Sequence, residues 1–408
     1  MNIYIKNLIL ALIAIVTLGM TSCSEDKLGD TIFPATEEDL DQTSYTYPLD
    51  AYLRDSFLIP YNVQFIYKME DVGTKMQRNV VPANYEKSVQ LAVLSNYLWY
   101  DVYRKLAGEH ELFLKKYSPR IIHVIGSPSY NSDGTMTLGY AENGIKITLQ
   151  AANWLDYHVI EGLRGLNYMF FHTMHHEFVH ILDQTYSHPQ PFNLISNGLY
   201  DSNWPDTPKE LANSRGFVTP YASAEDMEDW AELISNYVTM NEATWDSMMV
   251  RASFDYDDIK IEVENEDKFK DSLTKIRLTA VDLDSVGYYY TTSNYEVHWI
   301  RKMIRRDGND RPQPDADGNI IFEYKDGING VDVINQKLVM AKQWLKDYFK
   351  IDLDELRKEV QGRQYVTNPD GTYKKVGGNY VNRLSEVDPV TGKSLMDTLL
   401  EGVEKYKK

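Results

Sequence analysis

His176, Glu177 and His180 stand in the pattern HEFVH, within an apolar run, FHTMHHEFVHILDQ (Phe171–Gln184), long enough to be a helix. On a helix of 3.6 residues per turn, positions four apart share a face, so both imidazoles reach one metal ion while Glu177, one position round, addresses its open side. A metal-bound water beside a carboxylate is a nucleophile with its base, which is the chemistry of zinc-dependent hydrolysis. Leu166, Met169, Phe170, Met174, Phe178, Ile181 and Leu182 recur at helical spacing, and Phe178 and Val179 make the motif's two free positions apolar, as a helix packed inside a domain requires. His172 and His175 fall in the same run. Both are expected in packing or at the surface, with His172, one turn before His176, also able to face the cleft.

Catalytic zinc takes three protein groups and leaves a fourth position to water. His188 follows closely, but a motif that uses a nearby third His needs glycine three residues after His180 and His six after it, where this chain has Asp183 and Tyr186. The better source is GFVTPYASAEDMEDWAELISNYV (Gly216–Val238), a loop followed by a second helix, with Ser223 and Asp226 spaced as a capping box just after Pro220. Met227, Trp230, Ala231, Ile234 and Val238 form its apolar face and leave Glu225, Glu228 and Glu232 in a row. Acids stacked in this way repel one another unless something positive lies against them. The arrangement makes Glu228 the metal ligand, lets Glu232, one turn on, accept from the outer nitrogen of a ligand His, and leaves Glu225 as the rival ligand.

The start of the chain carries a second signal. One lysine, Lys6, precedes an apolar run from Leu8 to Gly19, too short to span a membrane and suited to the core of a signal sequence. It ends at Met20-Thr21-Ser22-Cys23, and the single cysteine, directly after small residues, resembles a lipobox, so residues 1–22 are expected to be removed and Cys23 lipidated. Ser24, Glu25 and Asp26 resemble the export tags of surface lipoproteins, which favours display on the cell surface over the periplasmic face. The formal charge is −18, and losing Lys6 makes it one unit more negative. Such acidity argues against nucleic acid and against a polybasic membrane patch, leaving lipid as the anchor.

Residues 23–45, with Glu37, Glu38, Asp39 and Asp41 and few apolar groups, read as a flexible linker. A helical pattern runs from 83 to 107 (Tyr85, Val89, Leu91, Leu94, Tyr97, Leu98, Val102, Leu106). Three β-rich runs follow, Arg120–Ser127, Met136–Ala141 and Gly144–Gln150, split by turn sequences at Asn131–Gly134 and Glu142–Gly144. They are taken as antiparallel strands, the last lying at the cleft edge where an extended peptide could pair with it. Residues 243–330 are expected to mix helical segments with turns, with Asp315–Asn319 a hairpin turn rather than a calcium loop. Val331–Gln361 reads as one or two helices and Tyr365–Gly392 as a loop excursion. The expected class is α+β: a small antiparallel-edged sheet with the HEFVH helix in a catalytic core at 46–250, then a mostly helical region at 251–408 packing on it. No repeat of 20 to 50 residues is evident, and the 30 tyrosines and seven tryptophans fall largely at core spacing, so neither a helical-repeat nor a sugar-stacking protein is indicated.

The pair HEFVH and EDMEDWAE resembles the gluzincin branch of metallopeptidases and, more narrowly, zincins of the lethal-factor type, whose second helix carries E-x-x-A-E, matched here from Glu228 to Glu232. Those proteins also carry a tyrosine seven residues before the ligand Glu, where this chain has Tyr221. With its lipoprotein start the chain resembles the substrate import-associated zinc metallohydrolase lipoproteins, encoded beside outer-membrane nutrient-uptake systems, over roughly residues 45 to 360. The resemblance implies a zincin-like fold and zinc as cofactor. It further implies Glu177 as general base, Tyr221 as oxyanion donor, a peptide or protein substrate, and importer components as partners. Two alternatives stay open: a non-catalytic lipoprotein that captures glycan or peptide for an importer, and a zinc amidase or esterase built on the same constellation.

Overall fold

The computed structural model describes residues 40–69, 80–108, 112–130, 136–137, 139–142, 145–256, 261–262, 285–291, 296–324 and 326–407. The leader, Cys23, the export tag, most of the linker, and the turn residues Asn131–Gly134, Asn143 and Gly144 lie outside them.

The sheet that supports the HEFVH helix has four strands in the order β1-β2-β6-β5. β1 (Gln64–Ile66) and β6 (Lys146–Leu149) flank β2 (Ile121–Val124), both parallel to it, with Ile122 opposite Ile147 and Val124 opposite Leu149. These four apolar side chains are fully buried, as parallel strands covered on both faces must be. β5 (Gly139–Glu142) closes the sheet antiparallel to β6. The middle β-rich run is split, because its first part, β4 (Met136–Thr137), pairs instead with β3 (Ser129–Tyr130).

Two expectations are corrected here. The strands at the sheet's centre are parallel, and the edge strand is β5 and not β6, whose backbone groups are taken on both sides by β2 and β5. An unbroken buried run such as Ile147-Thr148-Leu149 marks a central strand.

Helices cover the sheet. After α1 (Tyr47–Leu53), α2 (Tyr85–Ser95) begins at Asn84, whose side chain accepts from the backbone N–H of Glu86 and Lys87, and runs on through a wide turn at Asn96–Tyr100 to Ala107. Then come α3 (Leu112–Tyr117), the HEFVH helix α4 (His172–Thr185), two short helices α5 (Gln190–Ile195) and α6 (Lys209–Ser214), the carboxylate helix α7 (Asp226–Thr239) and α8 (Glu242–Ala252). Between 261 and 323 the described residues form strands rather than helical segments. β9 (Glu296–Ile304) pairs antiparallel with β8 (Ser285–Thr291) and also with β7 (Ile261–Glu262) and β10 (Phe322–Glu323). The β-branched and aromatic sequences Val286 to Thr291 and Val297 to Ile300 favour this outcome. Asp315 to Asn319 is a turn, with the Asp315 carboxylate accepting from the backbone N–H of Asp317 and Asn319.

The chain then forms α9 (Gly330–Trp344), α10 (Leu353–Gln364) and, after a hairpin of β11 (Lys375–Val376) and β12 (Asn379–Tyr380), the capped α11 (Leu395–Glu404). Pro48–Lys408 is one compact unit, and a single hydrophobic core runs through it from Leu49 to Val403. Trp230 of α7 meets Trp344 of α9 edge to face at 5.3 Å, so the C-terminal helices share the core of the HEFVH helix. Among the described residues no helix is long and apolar enough to cross a membrane.

Candidate metal centre

The HEFVH helix starts with a π-helical turn, Asn167–Phe171, and continues unbroken into α4. Phe170, Met174, Phe178 and Ile181 point into the core, which leaves His172, His176 and His180 on the face that meets α7. The two helices run antiparallel, and each turn of one faces a turn of the other. Asn167 donates to the carbonyl of Thr239 at 2.9 Å. His172 lies 3.1 Å from the Asn236 amide, His176 Nδ1 lies 2.9 Å from Glu232 Oε1, and His180 Nε2 lies 3.5 Å from Glu228 Oε2. His172, His176 and His180, four apart on α4, thus find Asn236, Glu232 and Glu228, four apart on α7.

Three ligand atoms converge at the open end of this interface. His176 Nε2 is 3.0 Å from Glu228 Oε2 and 3.1 Å from His180 Nε2, and the three side chains can hold a metal ion together. Tetrahedral zinc with bonds of about 2.0–2.1 Å places its ligands about 3.3 Å from one another, so the separations of 3.0, 3.1 and 3.5 Å fit it. Glu228 Oε2 is buried and has no aligned hydrogen bond despite these neighbours, as a carboxylate oxygen aimed at a cation would be. Burial alone would lower the pKa of His176, but the carboxylates of Glu228 and Glu232 outweigh it and raise it to about 10 in the metal-free site. Burial would raise Glu228, whereas His176 and His180 hold it down at about 2.

Glu232 is the outer partner of this group. It is 2% exposed, and a carboxylate so buried must be satisfied by donors. Thr219 Oγ1 donates to its Oε2 at 2.6 Å and Asn236 Nδ2 at 3.1 Å, while His176 Nδ1 and His172 Nε2 approach its Oε1 at 2.9 and 3.0 Å. The His rings drive its pKa well below the ordinary value against the effect of burial. His172, His176 and Glu232 make a second set of closely spaced ligand atoms. That set would need His176 Nδ1 stripped of its proton while Nε2 serves the first site, so we read it as the outer layer of one centre.

Glu177 is nearly buried, and its charge acts on both His176 and Tyr221. The Tyr221 ring stacks on that of His176 at 5.8 Å, and burial, followed by the Glu228 carboxylate, pushes its phenol well above the ordinary range. Tyr221 opens a 3₁₀ turn, Tyr221–Ser223, held by Thr219 Oγ1, which accepts from the backbone N–H of Ala222 at 3.1 Å. The Trp204 ring lies 4.7 Å from that of Tyr221, tilted against it.

The remaining candidates separate cleanly. Glu225 is exposed, lies outside the ligand group and is the residue just before α7. No capping box forms there: Ser223 donates instead to the carbonyl of Pro220, because the 3₁₀ turn places it outside the helix. His188 turns away to Asp183 and Asn193 and stacks on Trp230. His175 is buried beside Tyr103, whose hydroxyl lies 2.9 Å from its Nδ1, and burial lowers its pKa to about 3, which keeps it neutral. From the sequence His172, one turn before His176, is able to face the cleft; its place against Glu232, and any role for Thr219, appear only in three dimensions.

No curated protein matches the chain. A crystal structure at 2.10 Å resolution of a protein from Bacteroides caccae, itself described as a zinc-binding metallo-peptidase of putative status, is 29% identical in sequence with a TM-score of 0.52. The match covers 82% of this chain and 95% of that one. The family model described as "Putative zinc-binding metallo-peptidase" matches residues 42–354, which include every ligand candidate, the sheet and the start of the C-terminal helices. A match of that extent, over a site whose donors fit zinc, makes the chain a member of this zinc-binding metallo-peptidase family.

Proposed function

We propose that the chain is a zinc-dependent peptidase of the zincin, gluzincin-like type, tethered to the outer membrane by lipid on Cys23. The observation that carries this is the convergence of His176 Nε2, His180 Nε2 and Glu228 Oε2 at the edge lengths of a zinc tetrahedron. Held there, zinc supplies a Lewis acid and lowers the pKa of water toward about 7.

The chain's own groups do the rest. His176 Nδ1 lies 2.9 Å from Glu232 Oε1, so a proton kept on Nδ1 by that carboxylate would leave the Nε2 lone pair facing the metal position. Glu177, next to His176 and not among the ligands, takes the proton of the attacking water and hands it to the leaving nitrogen. Tyr221, whose raised pKa keeps it a donor at neutral pH, hydrogen-bonds the oxyanion. β5 has a strand partner on one side only among the described residues, and Gly139 packs it on Thr173 of α4, so an extended peptide pairing with β5 would run alongside the metal helix. Peptides or proteins are the substrates this favours over glycans.

Digestion of a complex peptide mixture by the zinc-loaded protein should yield new termini, which a chelator suppresses and added zinc restores. A mixture left intact by protein that carries zinc contradicts the peptidase reading and favours substrate capture. For the tether, the acidic tag after Cys23 supports surface display beside importer components. Cys23→Ser should move the protein from the membrane to the soluble fraction, and retention in the membrane would contradict the anchor.

A further inference from the structure

Among the described residues one lysine is buried completely in the core, Lys337, and its carboxylate partner is the residue after the ligand candidate Glu228. Lys337, on α9, has no exposed side-chain surface, and its Nζ donates to Asp229 Oδ2 at 2.6 Å and to the carbonyl of Gly216 at 2.9 Å. The ammonium sits 4.3 Å above the Phe217 ring and 5.7 Å from that of Phe192. Asp229 is 1% exposed and also accepts from the Tyr200 hydroxyl at 3.1 Å. Removing two charges from water is costly, and apolar replacements of similar volume are often as stable or more so, so such a pair calls for a reason other than stability.

Its position supplies one. Asp229 follows Glu228 on α7, about 100° further round the helix, so whatever fixes the direction of Asp229 fixes that of Glu228. Gly216 begins the stretch that leads to Thr219 and Tyr221. It has φ +85° and lies so close to α9 that a Cβ there would be 2.1 Å from Val333 Cγ1. One ammonium on the C-terminal helix therefore ties down both segments that build the site.

We propose that Lys337 and Asp229 are positioning residues for the metal centre: their buried ion pair sets the rotation of α7 and the path of the 216–221 loop, so that Glu228 faces His176 and His180 and Tyr221 faces the metal position. This rests on the metal-centre reading above. Displacements of about 1 Å in a catalytic group can cost on the order of 100-fold in rate, so a small rotation of α7 is enough to matter.

The test is the double variant Asp229→Leu with Lys337→Met, which removes both charges together and leaves neither stranded. Its melting temperature, zinc affinity by competition with a chromophoric chelator, the absorption spectrum of the Co²⁺-loaded protein, and kcat and KM are compared with wild type. The expected result is a cooperative melt near or above that of wild type, with zinc affinity lowered about tenfold, an altered Co²⁺ spectrum, and kcat falling more than KM rises. Wild-type zinc affinity with an unchanged Co²⁺ spectrum would overturn the inference. The closer mimic Asp229→Asn with Lys337→Met carries the same expectation if the apolar pair does not fold; failure of both to fold would make the pair a folding device and overturn the inference as well. Wild-type protein that binds no zinc would defeat the metal-centre reading itself, and this inference with it.

Discussion

Zinc and a proton compete for His176. In the metal-free site its pKa is raised from 6.5 to about 10, so the proton it holds stabilises that form fully below pH 6.5, and the stabilisation is lost as pH rises toward 10. Zinc takes the ring without that proton on Nε2, so its affinity should rise about tenfold per pH unit between pH 6 and 8, as competition titrations at three pH values would show. An affinity flat across that range would contradict the ion pairing of His176 with Glu228 and Glu232. Glu228→Ala should abolish zinc binding and Glu225→Ala should leave it intact; zinc content decides. Tyr221→Phe should keep zinc and lose about 100-fold in turnover, by analogy with the removal of other oxyanion donors. The two imidazoles and Glu177 were legible because one helix fixes their spacing. In the sequence Glu228 is preferred, with Glu225 as its rival in one row of acids, and the packing of the two helices puts Glu228 beside His176 and His180.

At the scale of elements the centre is a register between two antiparallel helices, four residues against four. Such a register needs α4 held against the sheet at a fixed height. β5 provides this: a Cβ at Gly139 would stand 2.4 Å from Thr173 Cγ2 and 2.8 Å from the carbonyl of Thr148. Gly139→Ala should therefore force strand and helix apart, destabilising the fold by about 1–3 kcal/mol in thermal or denaturant unfolding. The helices were legible in the sequence. From 83 to 107 and from 331 to 361 the apolar positions recur at 3.6 residues, and Ile334, Leu338, Ala341, Leu345, Phe349, Leu353 and Leu356 all prove buried. The sheet was less so. A short apolar run such as Ile147–Leu149 does not say which strands flank it, β1 is only three residues long, and the pairing of β6 with β2 joins segments separated by a hairpin.

At the scale of the molecule the C-terminal helices share one hydrophobic core with the HEFVH helix. Lys337, Trp344 and Leu338 lie against Asp229, Trp230 and their neighbours, so a chain ending at residue 256 would bare both an apolar face and a charged carboxylate. Such a chain should show no cooperative melt and no tight zinc binding; a truncated protein that does both would overturn the single-core account. A sign of this was present in the sequence, since Lys337 sits three residues after Ile334 and four before Ala341, at a core position on an otherwise apolar face. A long-range partner such as Asp229 leaves no trace in spacing, and so the pair became visible only in three dimensions. The central claim is that the zinc held by His176, His180 and Glu228 serves hydrolysis by Glu177. The direct measurement is cleavage of a complex peptide library by wild-type and Glu177→Gln proteins matched for zinc content. The account predicts cleavage by the wild type and none by the variant, whereas undiminished cleavage by Glu177→Gln would contradict it.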